Sequence, residues 1–434
     1  MASPARGATA GTARGPIGRP HVLVLGGGFG GVGAARKLRH AEADVTLIDK
    51  NDYHTFQPLL YQVATDLLET SACGHPLRDL FHDQRNATVH EATVRGIDLA
   101  GREVQFAEMG ALKYDYLVLA LGARVNFFGV DGADKHAFPM YTLADAVRVR
   151  DHVLRRWEAA DRDATLVDDG AVNVVVVGGG PTGIESAGAM SELYRSNFAA
   201  DYPRIPQDRA RIVLVEAGPA LMPMFRSDIR SYTKKALEQR GVDVLLGEVV
   251  ALVEPTRVTL ESGTVLPAHT LIWGAGLQGS PTVELLHVPL QHGNRVPTEP
   301  DLSVAGHPEV FAIGDIAWIT DTKTNDVLPQ LGSVALQAGE HAGMNIAHLL
   351  DGKETRPFAY HDKGTMATIG RGTAVLQTRG GHTLKGKAAF LAWGGVHLAL
   401  LSTGEDRTKA VVDWTWAGLT HERAERISVR TDQP

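Results

Sequence analysis

Cysteine is almost absent from this chain, which has one, Cys73, among 434 residues. No intramolecular disulfide can therefore form, and no pair of thiols can carry electrons. A single cysteine is more often a small buried side chain than a reactive thiol. The composition thus excludes disulfide-stabilised scaffolds and enzymes that work through a cysteine pair.

Long apolar runs, excess positive charge and metal-ligand patterns are also absent. No stretch reaches the ~20 apolar residues that a membrane-spanning helix needs. The net charge of -7 gives no reason to expect a nucleic-acid partner. His54, His75 and His82 lack the spacing of metal ligands, so we expect no metal site. The chain length instead indicates a globular protein of two or three domains.

Residues 1–20 contain Arg6, Arg14 and Arg19, no acidic residue, and many Gly, Ala and Pro. Arginines without acids would suit a transit peptide, but glycine and proline interrupt an amphipathic helix. We expect residues 1–20 to form a disordered tail.

One short pattern occurs twice in the sequence. The chain reads HVLVLGGGFGGVG from His21 and VNVVVVGGGPTGIE from Val172. Each copy opens with a run typical of a strand buried on both faces. Each continues as G-x-G-x-x-G, in which the glycines make a tight turn, admit a pyrophosphate and let the next helix pack closely. A phosphate would lie at that helix's N-terminus, where free N–H groups favour negative charge.

A lone G-x-G-x-x-G is weak evidence, but both copies are complete. Each is followed by a helix pattern and by a second strand that ends in an acid, Asp49 in the first copy and Glu216 in the second. These carboxylates would bind ribose 2′-hydroxyls, which favours NADH over NADPH. The motif glycines are Gly26, Gly28 and Gly31, then Gly178, Gly180 and Gly183.

The two copies open two similar halves of the chain. In each half, short strands lead to an apolar strand with a glycine turn, LVLALGA from Leu117 and LIWGAG from Leu271. A further apolar strand ends at Gly314 and Asp315, before a helix pattern. This repeat predicts an α/β fold with two Rossmann-like domains.

These features resemble the two-dinucleotide-binding-domain flavoproteins, over nearly the whole chain after residue 20. The resemblance implies FAD in the first domain and NADH in the second. The FAD domain would be discontinuous, because the strand ending at Gly314 returns to it, with Asp315 near the ribityl–phosphate region. The implied parts are an FAD domain of residues 21–139 and 297–375, an NADH domain of 140–296, and a C-terminal membrane-associating segment of 376–434.

Within that group the chain looks most like type II NADH dehydrogenases, the single-chain NADH:quinone oxidoreductases. Four stretches carry this similarity: FQPLLYQVAT from Phe56, GGGPTGIE from Gly178, HDKGTMATIGRGTAV from His361, and FLAWGGVHLALL from Phe390 with WTW from Trp414. The chain departs from the family pattern where Ala-Gln is expected, because Gly332 and Ser333 stand there and only Gln337 of the helix motif remains.

The similarity implies an FAD-dependent NADH:quinone oxidoreductase that does not pump protons. A hydride would pass from NADH to FAD N5, and two electrons would then pass to a membrane quinone. The implied catalytic residues are Glu185, Gln337 and Lys363. The implied cofactor-binding residues are Gly26, Gly28, Gly30, Gly31, Asp49, Lys50, Ala120, Gly122, Gly314, Asp315 and Ala335 for FAD, and Gly178, Gly180, Gly183, Glu216 and Gly274 for NADH.

Each catalytic candidate also has a simpler interpretation. Glu185, expected in the first turn of its helix, would either pair with the helix dipole or lie against the nicotinamide and tune proton delivery. Lys363 would be a surface lysine or stabilise a reduced anionic flavin. Gln337 would hold helix contacts or face the quinone.

Two other functions stay open from the sequence alone. A soluble NADH oxidase or diaphorase would use oxygen or another small acceptor, and Ser333 favours it. An NADH-responsive redox-sensing interaction protein would turn over very slowly with every quinone.

The C-terminal segment raises the question of a membrane partner. The apolar run from Ala388 to Leu401 is too short to span a bilayer, and Trp393, Trp414 and Trp416 lie nearby. We expect peripheral attachment to the cytoplasmic face of a bacterial inner membrane, with a mitochondrial location as the alternative. The oligomeric state stays open between a monomer and a homodimer.

Overall fold

The computed structural model describes residues 18–420, so most of the predicted tail lies outside the described residues. The described chain divides into two compact units. The first unit contains residues 18–54, 76–124 and 277–361, and the second contains 55–75, 125–276 and 362–420. The predicted domain bounds remain a prediction.

The strands, in chain order, are β1 His21–Leu25, β2 Asp44–Asp49, β3 Tyr53–Thr55, β4 Gly74–Pro76, β5 Ala87–Glu91, β6 Val94–Asp98, β7 Glu103–Phe106, β8 Leu112–Lys113, β9 Tyr116–Leu119, β10 Ala123–Val125, β11 Phe138–Pro139, β12 Val174–Val177, β13 Ile212–Glu216, β14 Val242–Leu246, β15 Val250–Glu254, β16 Arg257–Leu260, β17 Val265–Pro267, β18 Thr270–Trp273, β19 Leu277–Gly279, β20 Val296–Pro297, β21 Ser303–Val304, β22 His307–Ala312, β23 Ala317–Trp318, β24 Thr365–Gly370, β25 Thr373–Gln377 and β26 Thr383–Lys385.

The α-helices are α1 Phe29–Lys37, α2 Leu60–Val63, α3 Thr70–Cys73, α4 Leu77–Leu80, α5 Ala133–His136, α6 Leu143–Arg162, α7 Thr165–Asp168, α8 Pro181–Glu192, α9 Ala199–Asp201, α10 Ser227–Glu238, α11 Gly332–Leu350, α12 Gly386–Leu400 and α13 Gly404–Thr420. A π-helical turn, Leu193–Phe198, extends α8. Short 3-10 helices are Gln57–Leu59, Gln207–Arg209, Pro281–Leu286 and Gly314–Ile316.

The first unit is built on a six-stranded sheet in the order β21-β22-β9-β1-β2-β5. All neighbours are parallel except β21 and β22. The strand β1 lies in the interior, where Val22 to Leu25 are fully buried, as an apolar run in a parallel sheet requires. Because β22 pairs with β9, residues far along the chain complete this sheet.

Two helices of the first unit, α1 and α11, cross at very short range because small residues line the contact. A Cβ at Gly339 of α11 would lie 2.0 Å from the Gly30 carbonyl oxygen of α1, and one at Gly343 would lie 2.6 Å from the Ala34 carbonyl oxygen. Larger side chains would separate the helices. This packing fixes the start of α11 beside the first glycine motif.

The second unit is built on a parallel sheet in the order β11-β18-β12-β13-β14. Its interior strand β12 is a run of four buried valines. Two three-stranded antiparallel sheets, β15-β16-β17 and β24-β25-β26, belong to the same unit. The long helix α6 begins with a capping box between Thr142 and Asp145.

The two parallel sheets repeat one arrangement. The strand β9 lies beside β1 in the first unit, and β18 lies beside β12 in the second. The repeat noticed in the sequence therefore corresponds to equivalent strands, and the prediction of an α/β fold with two Rossmann-like domains is confirmed. Within residues 18–420, no helix has the length and apolar character needed to cross a bilayer.

Candidate functional site

The first glycine motif makes a tight turn between β1 and α1. Gly26 has a φ of +113°, and a Cβ there would lie 2.1 Å from the Ala120 carbonyl oxygen. A Cβ at Gly31 would lie 1.8 Å from the Gly26 carbonyl oxygen. Gly28 differs, because its backbone is extended and no protein atom lies within 4 Å of its Cβ position. The turn is thus closed by protein at two glycines and open at the middle one, as a pyrophosphate requires.

The Asp49 carboxylate braces this turn from the end of β2. Its Oδ2 accepts the Gly27 N–H at 2.6 Å, and its Oδ1 accepts the Asn51 N–H at 2.8 Å. Each carboxylate oxygen can accept a second hydrogen bond, which leaves acceptor sites for ribose hydroxyls. The neighbouring Lys50 is exposed.

The turn after β22 lies against the start of α11. Gly314 has a φ of +68°, and its Cβ position is 3.4 Å from the Ala335 Cβ. The Gln330 side-chain amide donates to the Asp315 backbone carbonyl at 2.8 Å. These contacts hold Asp315 at the carboxyl end of its strand.

Parallel strands present their carboxyl ends at one edge of a sheet, which is where dinucleotides bind in open α/β folds. The residues predicted to bind FAD follow this rule. They lie past the ends of β1, β2, β9 and β22 or on the helices α1 and α11, namely Gly26, Gly28, Gly30, Gly31, Asp49, Lys50, Ala120, Gly122, Gly314, Asp315 and Ala335. The donor set and the open backbone at Gly28 fit a dinucleotide.

The second glycine motif repeats this geometry between β12 and α8. Gly178 has a φ of +110°, and its Cβ position lies 3.0 Å from the Gly274 carbonyl oxygen. A Cβ at Gly183 would lie 1.9 Å from the Gly178 carbonyl oxygen, whereas no protein atom lies within 4 Å of the Cβ position of Gly180. The second unit therefore contains a turn of the same kind, with open space over Gly180 that fits a pyrophosphate.

Glu216 braces the second turn as Asp49 braces the first. Its Oε2 accepts the Gly179 N–H at 2.5 Å, and its Oε1 accepts the Gly218 N–H at 2.6 Å. Two amide donors fix both oxygens at the end of β13. A negative charge held in this way favours ribose hydroxyls and repels a 2′-phosphate.

Glu185 lies in the second turn of α8, whereas the sequence analysis expected it in the first turn. The first turn of α8 contains no acidic residue, and Glu185 is buried in the second turn. Its Oε1 accepts the Thr368 N–H at 3.1 Å. Burial raises the pKa of this carboxyl to about 8, and the Thr368 hydrogen bond opposes the rise. A helix-dipole contact, which acts within the first turn, is therefore not its main interaction.

Sequence reasoning did not identify the neighbours that surround Glu185. Thr368 lies 183 positions away in the chain, and its hydroxyl bonds to the Tyr61 hydroxyl at 2.9 Å across 307 positions. Both side chains are buried. No local pattern could have joined them, although each falls within a stretch that resembles the family.

Gln337 has a structural partner in the first unit. Its Nε2 donates to the His361 carbonyl at 3.1 Å, and its Oε1 accepts the His361 N–H at 3.0 Å. Both ends of the amide thus bind one backbone residue, and the helix α11 fixes the chain two positions before Lys363. The neighbouring Ser333 hydroxyl pairs with the Tyr360 hydroxyl at 2.9 Å. Lys363 itself is exposed and belongs to the second unit.

The lone cysteine takes no part in these sites. Cys73 is buried, and burial raises the pKa of its thiol far above the usual range. A protonated, buried thiol is a poor nucleophile and a poor electron carrier. The structure therefore favours the interpretation of Cys73 as a packing residue.

The helices α12 and α13 carry apolar side chains on the protein surface. The exposed large apolar residues here are Leu391, Val396, Leu400, Val411, Val412, Trp416 and Leu419. Leu391 and Leu419 are the most exposed, at 74% and 78%. These two helices therefore carry most of the exposed large apolar side chains found among the described residues.

Comparison with known proteins agrees with this geometry. The family model for pyridine nucleotide-disulphide oxidoreductases matches residues 20–339. The type II NADH:quinone oxidoreductase Ndh of Mycobacterium tuberculosis is 33% identical over 425 residues, which cover 94% of this chain and 90% of the relative. The type II NADH:quinone oxidoreductase of Staphylococcus aureus is 31% identical over 382 residues, with coverages of 86% and 93%.

A solved structure is similar in fold. The structure of NDH2 from Plasmodium falciparum in complex with NADH superposes with a TM-score of 0.86 at 21% identity, and the match covers 95% of this chain and 100% of that one. The family model and the similarity along nearly the full length of several relatives confirm the resemblance predicted from the sequence. The chain belongs to the pyridine nucleotide-disulphide oxidoreductases and, among them, to the type II NADH:quinone oxidoreductases.

Proposed function

We propose that this protein is a flavoprotein oxidoreductase that oxidises NADH and reduces a membrane quinone without pumping protons. The observation that carries the proposal is the presence of two complete dinucleotide cradles, each with an open middle glycine and an amide-braced acid. FAD, when bound, supplies the two-electron chemistry that links NADH oxidation to quinone reduction. The relatives named above are type II NADH:quinone oxidoreductases.

In this proposal the first unit holds FAD. The N-terminus of α1 and the open backbone at Gly28 would hold the pyrophosphate, and Asp49 would accept hydrogen bonds from the adenosine ribose. Asp315, fixed by Gln330, binds the ribityl–phosphate region from the end of β22. Lys50 and Ala335 lie at the rim of the same cradle.

The second unit holds NADH in the equivalent manner. The pyrophosphate lies over Gly180, and Glu216 accepts hydrogen bonds from the ribose hydroxyls. Because both Glu216 oxygens are already fixed by backbone amides, the carboxylate cannot turn away from a 2′-phosphate. The protein therefore prefers NADH to NADPH.

Three side chains serve the reaction rather than cofactor binding. Glu185, with a pKa of about 8, exchanges a proton near neutral pH beside the nicotinamide. Lys363 would supply positive charge toward a bound flavin, as the family resemblance implies. Gln337 holds the backbone at His361 and so fixes the segment that leads to Lys363.

Anaerobic flavin reduction and reoxidation test this function. One equivalent of NADH should bleach the flavin of the purified holoenzyme, and a short-chain menaquinone or ubiquinone should restore its absorbance within seconds. The rate of flavin reduction by NADPH should be lower than the rate with NADH by roughly tenfold or more, because the charge of Glu216 opposes the 2′-phosphate.

The other interpretations predict different traces. A soluble oxidase would be reoxidised by air and not by any quinone, and a redox-sensing protein would hold its reduced flavin in a stable complex with NAD. Either result would contradict quinone reduction. The second trace would still be compatible with both dinucleotide cradles.

We further propose that α12 and α13 attach the protein to the cytoplasmic face of a bacterial membrane. Apolar side chains on these helices would enter the interface, and the basic residues Arg379, Lys385 and Lys387 precede or begin α12. Within residues 18–420 neither helix combines the length and apolar character needed to cross a bilayer, so the proposed attachment is peripheral.

Replacing Leu391 and Leu419 together with aspartate should abolish most vesicle binding. Each change removes an exposed apolar side chain and adds a negative charge, so binding to vesicles of phosphatidylglycerol and phosphatidylethanolamine should fall roughly tenfold or more. Val265→Asp is the matched control, because Val265 is also exposed but lies on β17. Equal binding of both variants in sedimentation assays would contradict the attachment surface.

Ultracentrifugation of the same preparations distinguishes a monomer from a homodimer.

A further inference from the structure

A row of hydrogen bonds runs through the second unit from α13 to α8, and at Thr368 it passes from the side-chain hydroxyl to the backbone N–H through covalent bonds. The Trp414 Nε1–H donates to the Gln62 Oε1 at 2.7 Å, and the Gln62 Nε2 donates to the Tyr61 hydroxyl at 2.9 Å. The Tyr61 and Thr368 hydroxyls are 2.9 Å apart, and the Thr368 N–H donates to Glu185. Four of these residues are buried, and Trp414 is half-buried.

Chemistry fixes the direction of the first two bonds in this row. An indole Nε1–H can only donate, so Gln62 must turn its carbonyl oxygen toward Trp414. Its amide nitrogen then donates to the Tyr61 hydroxyl. The Tyr61 O–H can in turn donate to the Thr368 hydroxyl, and the reverse direction is also chemically allowed. The first two donors therefore point the same way, from Trp414 toward Tyr61. Hydrogen bonds aligned in one direction polarise and strengthen one another.

A second contact ties α13 to the same segment of the chain. Asp406, at the start of α13, is buried and lies 3.1 Å from the His75 Nδ1. Asp406 also forms a capping box with Thr403, in which each residue's side chain accepts the other's backbone N–H. The helix that carries Trp414 is thus held at two points against residues 61–75. Its position is defined relative to Tyr61 and Gln62.

The surroundings of Glu185 make it responsive to a change in this row. The elements packed against α8 bring these titratable groups: Tyr61 from α2, Glu216 from β13, Asp243 from β14, Tyr194 and Arg195 from the π-helical turn, and the charged residues of α10. Burial, and then the charge of Glu185, raise the pKa of the Tyr61 hydroxyl. The charge state of Glu185 therefore affects the pKa of Tyr61. With its pKa raised, Tyr61 stays protonated, and its hydroxyl can act as a hydrogen-bond donor.

We propose that Trp414, Gln62 and Tyr61 are positioning residues that act on Glu185 through Thr368. The row makes the placement of α13 a determinant of how firmly Thr368 holds the Glu185 carboxylate. This inference deepens the proposed function, because it rests on the assignment of Glu185 to the NADH reaction. It adds a link between the apolar C-terminal surface and the carboxyl group of the second dinucleotide motif.

The test is the pH dependence of flavin reduction by NADH in the full-length holoenzyme, followed by stopped flow between pH 6 and pH 9. The wild-type profile should have a midpoint near pH 8, set by Glu185. Tyr61→Phe removes the hydroxyl and keeps the ring, so Thr368 is held less firmly and its N–H stabilises the carboxylate less. The midpoint should move upward by roughly half a pH unit to one pH unit.

Trp414→Phe probes the far end of the row without touching Glu185, Thr368 or Tyr61. Without the indole N–H, the Gln62 amide is free to rotate, and Tyr61 can donate to the Gln62 oxygen instead of Thr368. The midpoint should move in the same direction by a smaller amount. This variant also keeps the inference testable if Tyr61→Phe fails to fold.

Tyr202→Phe is the matched control, since Tyr202 lies in the same unit and its hydroxyl donates to Glu158 at 3.0 Å, outside the row. Its midpoint should equal that of the wild type. In a Glu185→Gln background, Tyr61→Phe should have no effect on the profile, because the titrating group is gone.

The outcomes separate the two claims. If Glu185→Gln keeps the transition near pH 8, the assignment of Glu185 to the NADH reaction fails. If Glu185→Gln removes the transition but Tyr61→Phe and Trp414→Phe leave the wild-type midpoint unchanged, the positioning role is overturned and the proposed function survives. A rate that falls equally at every pH would indicate a structural role alone.

Discussion

Gly28→Val should yield a folded protein without FAD, and Gly180→Val should yield a yellow protein that retains FAD but barely uses NADH. In the second variant the KM for NADH should rise roughly 100-fold or more, because several charge-assisted hydrogen bonds to the pyrophosphate are lost together. Flavin absorbance of the purified variants measures the first effect, and steady-state kinetics measures the second.

These effects are expected because the middle glycine of each motif differs from the outer two. A side chain at Gly26 or Gly31 would overlap backbone atoms of the protein itself. A variant there would therefore fail to fold, whatever its effect on cofactor binding. At Gly28 and Gly180 the backbone is extended, with φ of -76° and -80°, and an added Cβ meets no protein atom within 4 Å. It would instead occupy the space over the helix N-terminus, where the pyrophosphate must lie.

Gly110→Val is the matched control for this pair. Gly110 also has open space at its Cβ position and a backbone conformation that other residues adopt, but it lies outside both motifs. The control should retain FAD and normal kinetics. If the two motif variants exchanged their phenotypes, with Gly180→Val losing FAD, the assignment of one cofactor to each unit would be wrong.

The fold could be predicted from the sequence because its signals are local. A buried strand, a glycine turn, a helix and an acid at the end of a following strand occur in order from His21 to Asp49, and again from Val174 to Glu216. The second acid, Glu216, could be assigned by the same rule. The prediction that β22 returns to the first sheet depended on the family resemblance, since no local pattern specifies which strand a distant segment joins.

The arrangement around Glu185 could not be predicted, for the opposite reason. Its partners come from segments hundreds of positions apart, and Trp414 reaches Gln62 across 352 positions. The stretches around Tyr61 and Thr368 resemble family patterns, but such a resemblance does not show which residues are in contact. Gln337 shows a similar limit: its sequence was compatible with a helix contact or a quinone contact, and the structure places both ends of its amide on His361.

The burial of Glu185 has a thermodynamic consequence that is independent of any cofactor. An unfolded chain exposes this carboxyl at its ordinary pKa of 4.5, whereas in the folded protein the pKa is about 8. Between these values the folded state binds the proton more tightly, so the free energy of unfolding falls as the pH rises from about 4.5 to about 8. Glu185 therefore lowers the stability of the protein at neutral and alkaline pH, and the proposed role in the NADH reaction gives this buried carboxyl a function.

Glu185→Gln should therefore stabilise the protein at alkaline pH. Glutamine keeps an oxygen for the Thr368 N–H and carries no charge to bury. Its gain in unfolding free energy over the wild type should be larger at pH 8.5 than at pH 5.5 by roughly 3 kcal/mol. Urea unfolding followed by circular dichroism at the two pH values measures this difference.

An exposed glutamate provides the comparison for this measurement. Glu238 lies at the end of α10, where it pairs with Lys234 at the surface, and Glu238→Gln should change the unfolding free energy about equally at both pH values. An equal effect of Glu185→Gln at both pH values would mean that the carboxyl titrates near its ordinary pKa. Its proton would then be absent at neutral pH, and Glu185 could not deliver one beside the nicotinamide. The stability experiment thus bears on the mechanism without requiring NADH or a quinone.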